Sequence, residues 1–174
     1  MTQPTATLRE GSVADLPEIM TLFDDAVTWL AANGRSAQWG SEPWSTDEAK
    51  VGFVRKLMDS GTTIIAESGG IVVGAAIYGP ERMPYVPAVE EPEIYISLLI
   101  TSQSVRRVGV GTALLEAIRN STRELGIPLL RVHCWSGGDR KLISYYEGQG
   151  FTPTIDVPVK DTSVQVFEQR LERN

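Results

Sequence analysis

Arg106-Arg107-Val108-Gly109-Val110-Gly111-Thr112 follows an apolar run, Glu93 to Thr101, and opens a helical pattern from Thr112 to Leu125. A strand feeding a glycine-bearing turn and then a helix makes a place to hold phosphate. The first turn of a helix leaves its N–H groups without intrahelical partners, and the macrodipole adds roughly half a positive charge there. Gly109 and Gly111 have no side chain to keep a pyrophosphate away from those groups. Spacing excludes two other phosphate loops. A Walker A loop needs Lys and then Ser or Thr after its last glycine, whereas Gly111 is followed by Thr112-Ala113-Leu114. A dinucleotide fingerprint needs a third glycine where Leu114 stands and an acidic residue about 20 positions on. Leu130, Arg131 and Val132 occupy that place.

The turn does fit the pattern Arg/Gln-x-x-Gly-x-Gly/Ala over Arg106 to Gly111. Downstream, beyond a strand-like segment from Leu129 to Trp135, stands Tyr146-Glu147-Gly148-Gln149-Gly150-Phe151. With both motifs in this order, the chain resembles the GNAT superfamily of acetyl-CoA-dependent N-acetyltransferases, in which Tyr-x-x-x-Gly-Phe ends the next helix. The resemblance covers most of the chain. It implies an α+β GNAT acyltransferase fold, a mixed central sheet of six to seven strands flanked by about four helices, built as a single domain over residues 1–174.

Composition bounds the reading independently. At 174 residues and 42% hydrophobic, the chain can bury a real core. Its polar N-terminus does not read as a signal peptide, and no apolar run approaches the roughly 20 residues that a bilayer requires. No membrane contact and a cytoplasmic location are expected. A net charge of −6 argues against nucleic acid, whose binding depends on Lys and Arg neutralising phosphates. It suits a cationic or amine-bearing substrate. One cysteine and one histidine cannot build an internal disulfide or a usual transition-metal site, so no metal is expected. Cys134, in an apolar strand, reads as a small buried side chain.

Along the chain, Thr5 to Arg9 reads as a first strand. Ser12 to Asp15 forms a capping box, and Leu16, Ile19, Leu22, Phe23, Ala26, Val27 and Leu30 then recur at helical spacing until Asn33-Gly34. A tryptophan-bearing connection, Arg35 to Trp44, precedes a second box at Ser45 to Glu48 and a helix through Phe53 and Leu57. Thr62 to Glu67 and Ile71 to Tyr78 flank Ser68-Gly69-Gly70 as a hairpin. A proline-rich loop, Gly79 to Pro92, leads to the strand Glu93 to Thr101. After the glycine turn come a helix, the strand Leu129 to Trp135, a short helix Asp139 to Gly148, and strands Thr152 to Val157 and Ser163 to Leu171. The order β-α-α-β-β-β-α-β-α-β-β is the one for which the GNAT fold is known.

For the cofactor, the backbone N–H groups of Val108, Gly109, Val110, Gly111 and Thr112 would cradle the CoA pyrophosphate, with Arg106 or Arg107 adding charge. The plain alternative is a tight turn beside solvated arginines. The resemblance places Leu99, Ile100 and Thr101 where the strand splays and its backbone meets the pantetheine arm and the acetyl carbonyl. Thr101 departs from the apolar residue commoner there. Asp139 stands where relatives often carry an Asn that touches the pantetheine chain. Tyr146 matches the tyrosine that in many relatives protonates the departing thiolate, a task suited to a neutral phenol. Its alternative is packing against the cofactor. Tyr145 points elsewhere on the helix and is expected in the core.

Amide formation needs a neutral amine, so a base or an ordered water must take its proton. Period-two alternation puts Glu93, Tyr95 and Ser97 on one strand face and Ile94, Ile96 and Leu98 on the other. The polar face borders the acceptor in the GNAT fold. Glu93 is the first candidate base, unless it is merely a solvated carboxylate. His133, alternating with Arg131 and Trp135, is the second, against a structural alternative. The resemblance assigns acceptor selection to the segment joining the first two helices and to the loop before the central strand. Trp39, Trp44 and Tyr85, with Glu90 and Glu91 near them and Tyr95 and Trp135 on the strands, would wall an ammonium. Alternatively the tryptophans close the core.

The expected activity is transfer of acetyl from acetyl-CoA to a primary amine of a small molecule, such as an amino acid, polyamine or amine antibiotic, by direct attack in a ternary complex. A protein N-terminus or lysine is the alternative acceptor, and a non-catalytic acyl-CoA sensor the alternative class. A homodimer is left open.

Overall fold

The computed structural model describes residues 5–105, 109–138 and 140–173. The Ser12 box folds as written. Ala14 N–H donates to the Ser12 hydroxyl at 3.3 Å, and Ser12 N–H donates to the Asp15 carboxylate at 2.9 Å. Arg9, on β1 (Thr7–Glu10), grips the same carboxylate at 2.7 and 3.0 Å and holds it below the usual carboxylate range. Helix α1 (Leu16–Ala32) then runs until Gly34 takes φ +73°.

One core lies in the compact unit formed by residues up to Ile77 together with Leu98–Leu115. There Leu16, Ile19, Met20, Leu22, Phe23 and Ala26 of α1 pack with Val54 and Met58 of α3 (Glu48–Ser60) and Ile65 of β2 (Thr62–Ser68). Ala75 and Ile77 of β3 (Ile71–Gly79) and Leu98 and Ile100 of β4 (Glu93–Thr101) complete it. The β2–β3 turn places Gly69 and Gly70 at φ +59° and +78°, the two left-handed positions that a type I′ hairpin demands.

The start of α3 differs from expectation. Helix α3 is capped by Asp47, whose carboxylate accepts from the N–H groups of Ala49 and Lys50 at 3.0 and 3.3 Å. Ser45 instead gives its hydroxyl and N–H to Asp24, at 2.5 and 3.0 Å, because the competing aspartate two residues on has the better acceptor. Phe53 is 44% exposed, since Val54 and Met58 form the buried stripe. Residues Ser36–Trp39 add a one-turn helix, α2, inside the connection.

Seven strands run in the order β1-β2-β3-β4-β5-β7-β6. The second compact unit comprises Tyr78–Ser97 and the chain from Glu116 onward. In it β4 pairs in parallel with β5 (Leu129–Trp135) from Glu93↔Leu129 to Ile96↔Val132. Strand β5 pairs antiparallel with β7 (Thr162–Arg170) along its whole length, and β7 with β6 (Thr152–Val159), across a bulge between Pro153 and Asp156. Helices α4 (Val110–Glu124) and α5 (Lys141–Gly148) complete the mixed α+β architecture. Among the described residues, no helix is long and apolar enough to cross a membrane.

Candidate active site

Gly109 takes φ +77°, is exposed, and accepts from Ala113 N–H at 3.0 Å. It is therefore the residue before α4, which starts two positions earlier than the periodicity indicated. Val110 and Gly111 carry N–H groups ahead of the helical ladder. Among the described residues, nothing stands within 4 Å of where a Cβ on Gly109 would project, as an anion cradle requires. Leu99, Ile100 and Thr101 are the last three residues of β4. Arg106, Arg107, Val108 and Asp139 lie outside the described residues.

Gly74 on β3 supports this turn and escaped the reading of the sequence. A Cβ there would stand 2.9 Å from Val110 Cγ1, 3.2 Å from Leu114 Cδ1 and 3.3 Å from the Ile100 carbonyl oxygen. Its absence lets the first turns of α4 lie directly on β3. The signal was available as an isolated glycine inside the apolar strand Ile71–Gly79. Gly74→Ala is expected to cost about 1–3 kcal/mol by overpacking. Urea unfolding of the variant, compared with wild type, checks this.

In the second unit, Tyr146 sits two positions before the end of α5, and the Gly-Phe that follows has a clear physical purpose. Gly150 takes φ +90°, allowing Phe151 N–H to reach back to the Tyr146 carbonyl at 3.1 Å and Gly150 N–H to the Glu147 carbonyl at 3.0 Å. The same reversal sets the Phe151 ring edge-on to Tyr146 at 5.8 Å, while Phe167 lies 5.4 Å away. Tyr146 is 6% exposed, and its hydroxyl has no hydrogen-bond partner among the described residues. Burial, with smaller contributions from the Cys134 thiol and Tyr145, lifts this phenol above its ordinary range, so it is neutral at pH 7. Tyr145, expected in the core, is 39% exposed, because a short helix buries one face and that face carries Ile143 and Tyr146. Arg119 on α4 was also missed. It donates to the Gln149 carbonyl at 2.5 Å and to Gln169 Oε1 at 2.8 Å, bracing the end of α5. Cys134 is buried, its thiol pushed up to about 12 by burial, and so is neutral.

Both candidate bases are engaged. Glu93 accepts from Arg131 Nε at 2.5 Å and from Nη2 at 3.3 Å, in a pair whose side chains are 5% (Arg131) and 9% (Glu93) exposed. The same Nη2 donates to the Pro87 carbonyl at 2.8 Å. His133 bonds the Tyr85 hydroxyl through Nε2 at 3.0 Å and the Tyr95 hydroxyl through Nδ1. Burial lowers its pKa from 6.5 to about 4. Folded protein thus binds fewer protons than unfolded chain between these values, so stability is complete above pH 6.5 and declines as pH falls towards 4. A loss of about 3 kcal/mol is expected over that interval, and a flatter profile in His133→Gln, both read from urea unfolding.

The loop before β4 presents Tyr85, 40% exposed, between the buried anchors Met83 and Val86. Arg82 closes it by donating to the Val86 carbonyl at 2.7 Å, and Glu91 pairs with Arg170. Trp39 and Trp44 are partly buried and pack against the core. Phe23 stacks on Trp44 at 4.5 Å and meets Trp39 at 5.2 Å, and Trp44 Nε1 donates to the Trp39 carbonyl at 3.1 Å. The aromatic partner on α1 is what draws them inward. Trp135 Nε1 donates to Thr162 Oγ1 at 2.7 Å, tying β5 to β7.

Residues 22–151 match the model of the Acetyltransferase (GNAT) family. The L-methionine sulfoximine/L-methionine sulfone acetyltransferase of Pseudomonas paraeruginosa is 26% identical over 157 residues, spanning 88% of this chain and 84% of that protein. An acetyltransferase from Thermus thermophilus superposes with a TM-score of 0.71 at 20% identity, over 98% of this chain and 100% of that one. YncA from Salmonella typhimurium, solved with its cofactor acetyl-CoA, superposes with a TM-score of 0.65 at 20% identity, over 98% and 96%. With the strand–turn–helix at Gly109, the Tyr146-to-Phe151 helix end and this family match over most of its length, the chain belongs to the GNAT family of acetyltransferases.

Proposed function

We propose that this acetyltransferase moves the acetyl group of acetyl-CoA to the primary amine of a small, amino-acid-like molecule by direct attack in a ternary complex. The observation that carries the proposal is the Tyr146 hydroxyl, neutral and unpartnered among the described residues at the end of an otherwise buried ring. Acetyl-CoA supplies a thioester, whose sulfur must be protonated as it departs. Tyr146 offers the donor. Because burial raises its phenol above an ordinary thiol, Tyr146 steadies developing charge on sulfur by a hydrogen bond and releases its proton only as another arrives.

The open turn at Gly109 and the leading N–H groups of α4 suit the pyrophosphate, and the backbone of Leu99 to Thr101 suits the pantetheine arm. The bonds held by Glu93 and His133 leave an ordered water to take the amine proton. Glu93 then holds the Tyr85 loop through Arg131. A small acceptor is favoured by the net charge of −6, by that ordered loop, and by the relative that acts on methionine sulfoximine and sulfone.

The test is release of free thiol from acetyl-CoA with a panel of amino acids, polyamines, aminoglycosides and an N-terminal peptide. Turnover confined to amino-acid-like amines is expected. Turnover with the peptide alone would replace the acceptor class, and tight acetyl-CoA binding without thiol release would overturn the catalytic reading.

A further inference from the structure

We infer that Tyr85 is a hydrogen-bond donor to an oxygen of the acceptor substrate, fixed in that sense by the file Tyr95–His133–Tyr85, and that the enzyme therefore takes amines that also carry a carboxylate, carbonyl or sulfonyl oxygen. The inference rests on the acetyltransferase reading above and narrows its acceptor.

The direction of the file follows from where each hydrogen can go. Tyr95 is 0% exposed, and among the described residues its hydroxyl has one partner, Nδ1 of His133. A sealed hydroxyl that withholds its hydrogen leaves a donor unsatisfied, which costs more than an unused lone pair on the same oxygen. Tyr95 therefore donates, and Nδ1 accepts. His133 is neutral at pH 7, since burial brings it to about 4, so only one ring nitrogen carries hydrogen. With Nδ1 accepting, that nitrogen is Nε2, and it donates to the Tyr85 oxygen at 3.0 Å. The hydrogen of Tyr85 is then turned away from His133, on a residue that is 40% exposed.

The charged groups around the file leave this order intact. The Arg131 guanidinium lies 5.9 Å from the Tyr95 ring centre, but Glu93 neutralises it. Burial also keeps Tyr85 and Tyr95 protonated, raising both phenols. Three neutral groups aligned in one sense polarise one another, so the last hydrogen is a stronger donor than a phenol in water. Such a donor meets an oxygen lone pair. That hydrogen has nothing to offer an ammonium, which has only hydrogens to give. Tyr85 would thus read the oxygen beside the amine, while His133 and Tyr95 act as positioning residues.

His133 is the only histidine, so 15N-histidine labelling gives a single imidazole whose tautomer is read directly. The expected spectrum shows protonated Nε2 and unprotonated Nδ1. The same ring in Tyr95→Phe should redistribute its proton. Kinetics supply the second arm, with L-methionine, L-methioninamide and 3-(methylsulfanyl)propylamine as matched acceptors sharing one side chain. Wild type should prefer the two oxygen-bearing amines through KM. In Tyr85→Phe that preference should fall at least about tenfold through the acceptor KM. A protonated Nδ1, or a preference unaltered in Tyr85→Phe, overturns the role of Tyr85 alone. Thiol release equal for all three amines overturns the substrate class. Absence of thiol release with every amine overturns the acetyltransferase chemistry, and this inference with it.

Discussion

Tyr146→Phe should lower kcat by about 100-fold while leaving the KM for acetyl-CoA within roughly threefold of wild type. The substitution removes one O–H and keeps the ring. The contacts with Phe151 and Phe167 therefore persist, as does the backbone bond from Phe151 to the Tyr146 carbonyl. No described residue loses a hydrogen-bond partner, so the unfolding midpoint should change little. The effect then falls on the chemistry alone, as expected for a donor whose bond strengthens only as sulfur gains charge. Because burial raises the Tyr146 phenol, wild-type kcat should show no loss from its ionisation up to about pH 9. Saturating thiol-release assays on both proteins decide the matter. An unchanged kcat would take Tyr146 out of the reaction, and a large drop in unfolding midpoint would make it a packing residue.

What could be read in the sequence was whatever depends on neighbours within a few residues. The turn at Gly109, the capping box at Ser12 and the Gly150-Phe151 helix end are each written in four to six consecutive positions, and each folds as its local chemistry requires. Tyr146 belongs to this group, because its burial follows from the same reversal that places Phe151 against it. The partners of the other candidate residues depend on register. Glu93 and Arg131 are 38 positions apart, and only the parallel pairing of β4 with β5 brings them to one face. Read by itself, Glu93 was a carboxylate at a strand start. His133 lies equally far from Tyr95 and 48 positions from Tyr85. Its single histidine identity was legible, but the two phenols that occupy its nitrogens were not. Trp39 and Trp44 show the same limit in another form: aromatic residues in a connection can line a cleft or close a core, and their contacts with Phe23 on α1 depend on the fold.

The ion pair carries the second large effect. Arg131→Met should destabilise the protein by about 3–5 kcal/mol, because it leaves the Glu93 carboxylate nine-tenths buried without a counter-charge. The Pro87 carbonyl loses its donor in the same step, so the loop that presents Tyr85 loses a tie to β5. The double variant Arg131→Met with Glu93→Leu should recover most of the loss, since two apolar side chains of similar bulk avoid the desolvation that the ion pair must offset. Urea unfolding of wild type, both single variants and the double variant gives the coupling energy directly. Equal losses in the single and double variants would mean that the pair contributes packing rather than charge. Recovered stability has a functional corollary. In the double variant the sheet should be sound while the Pro87 tie is still missing, so any rise in acceptor KM that persists there reports the placement of Tyr85 rather than global unfolding. That separation tests the proposed place of Glu93 as a carboxylate that holds the Tyr85 loop through Arg131.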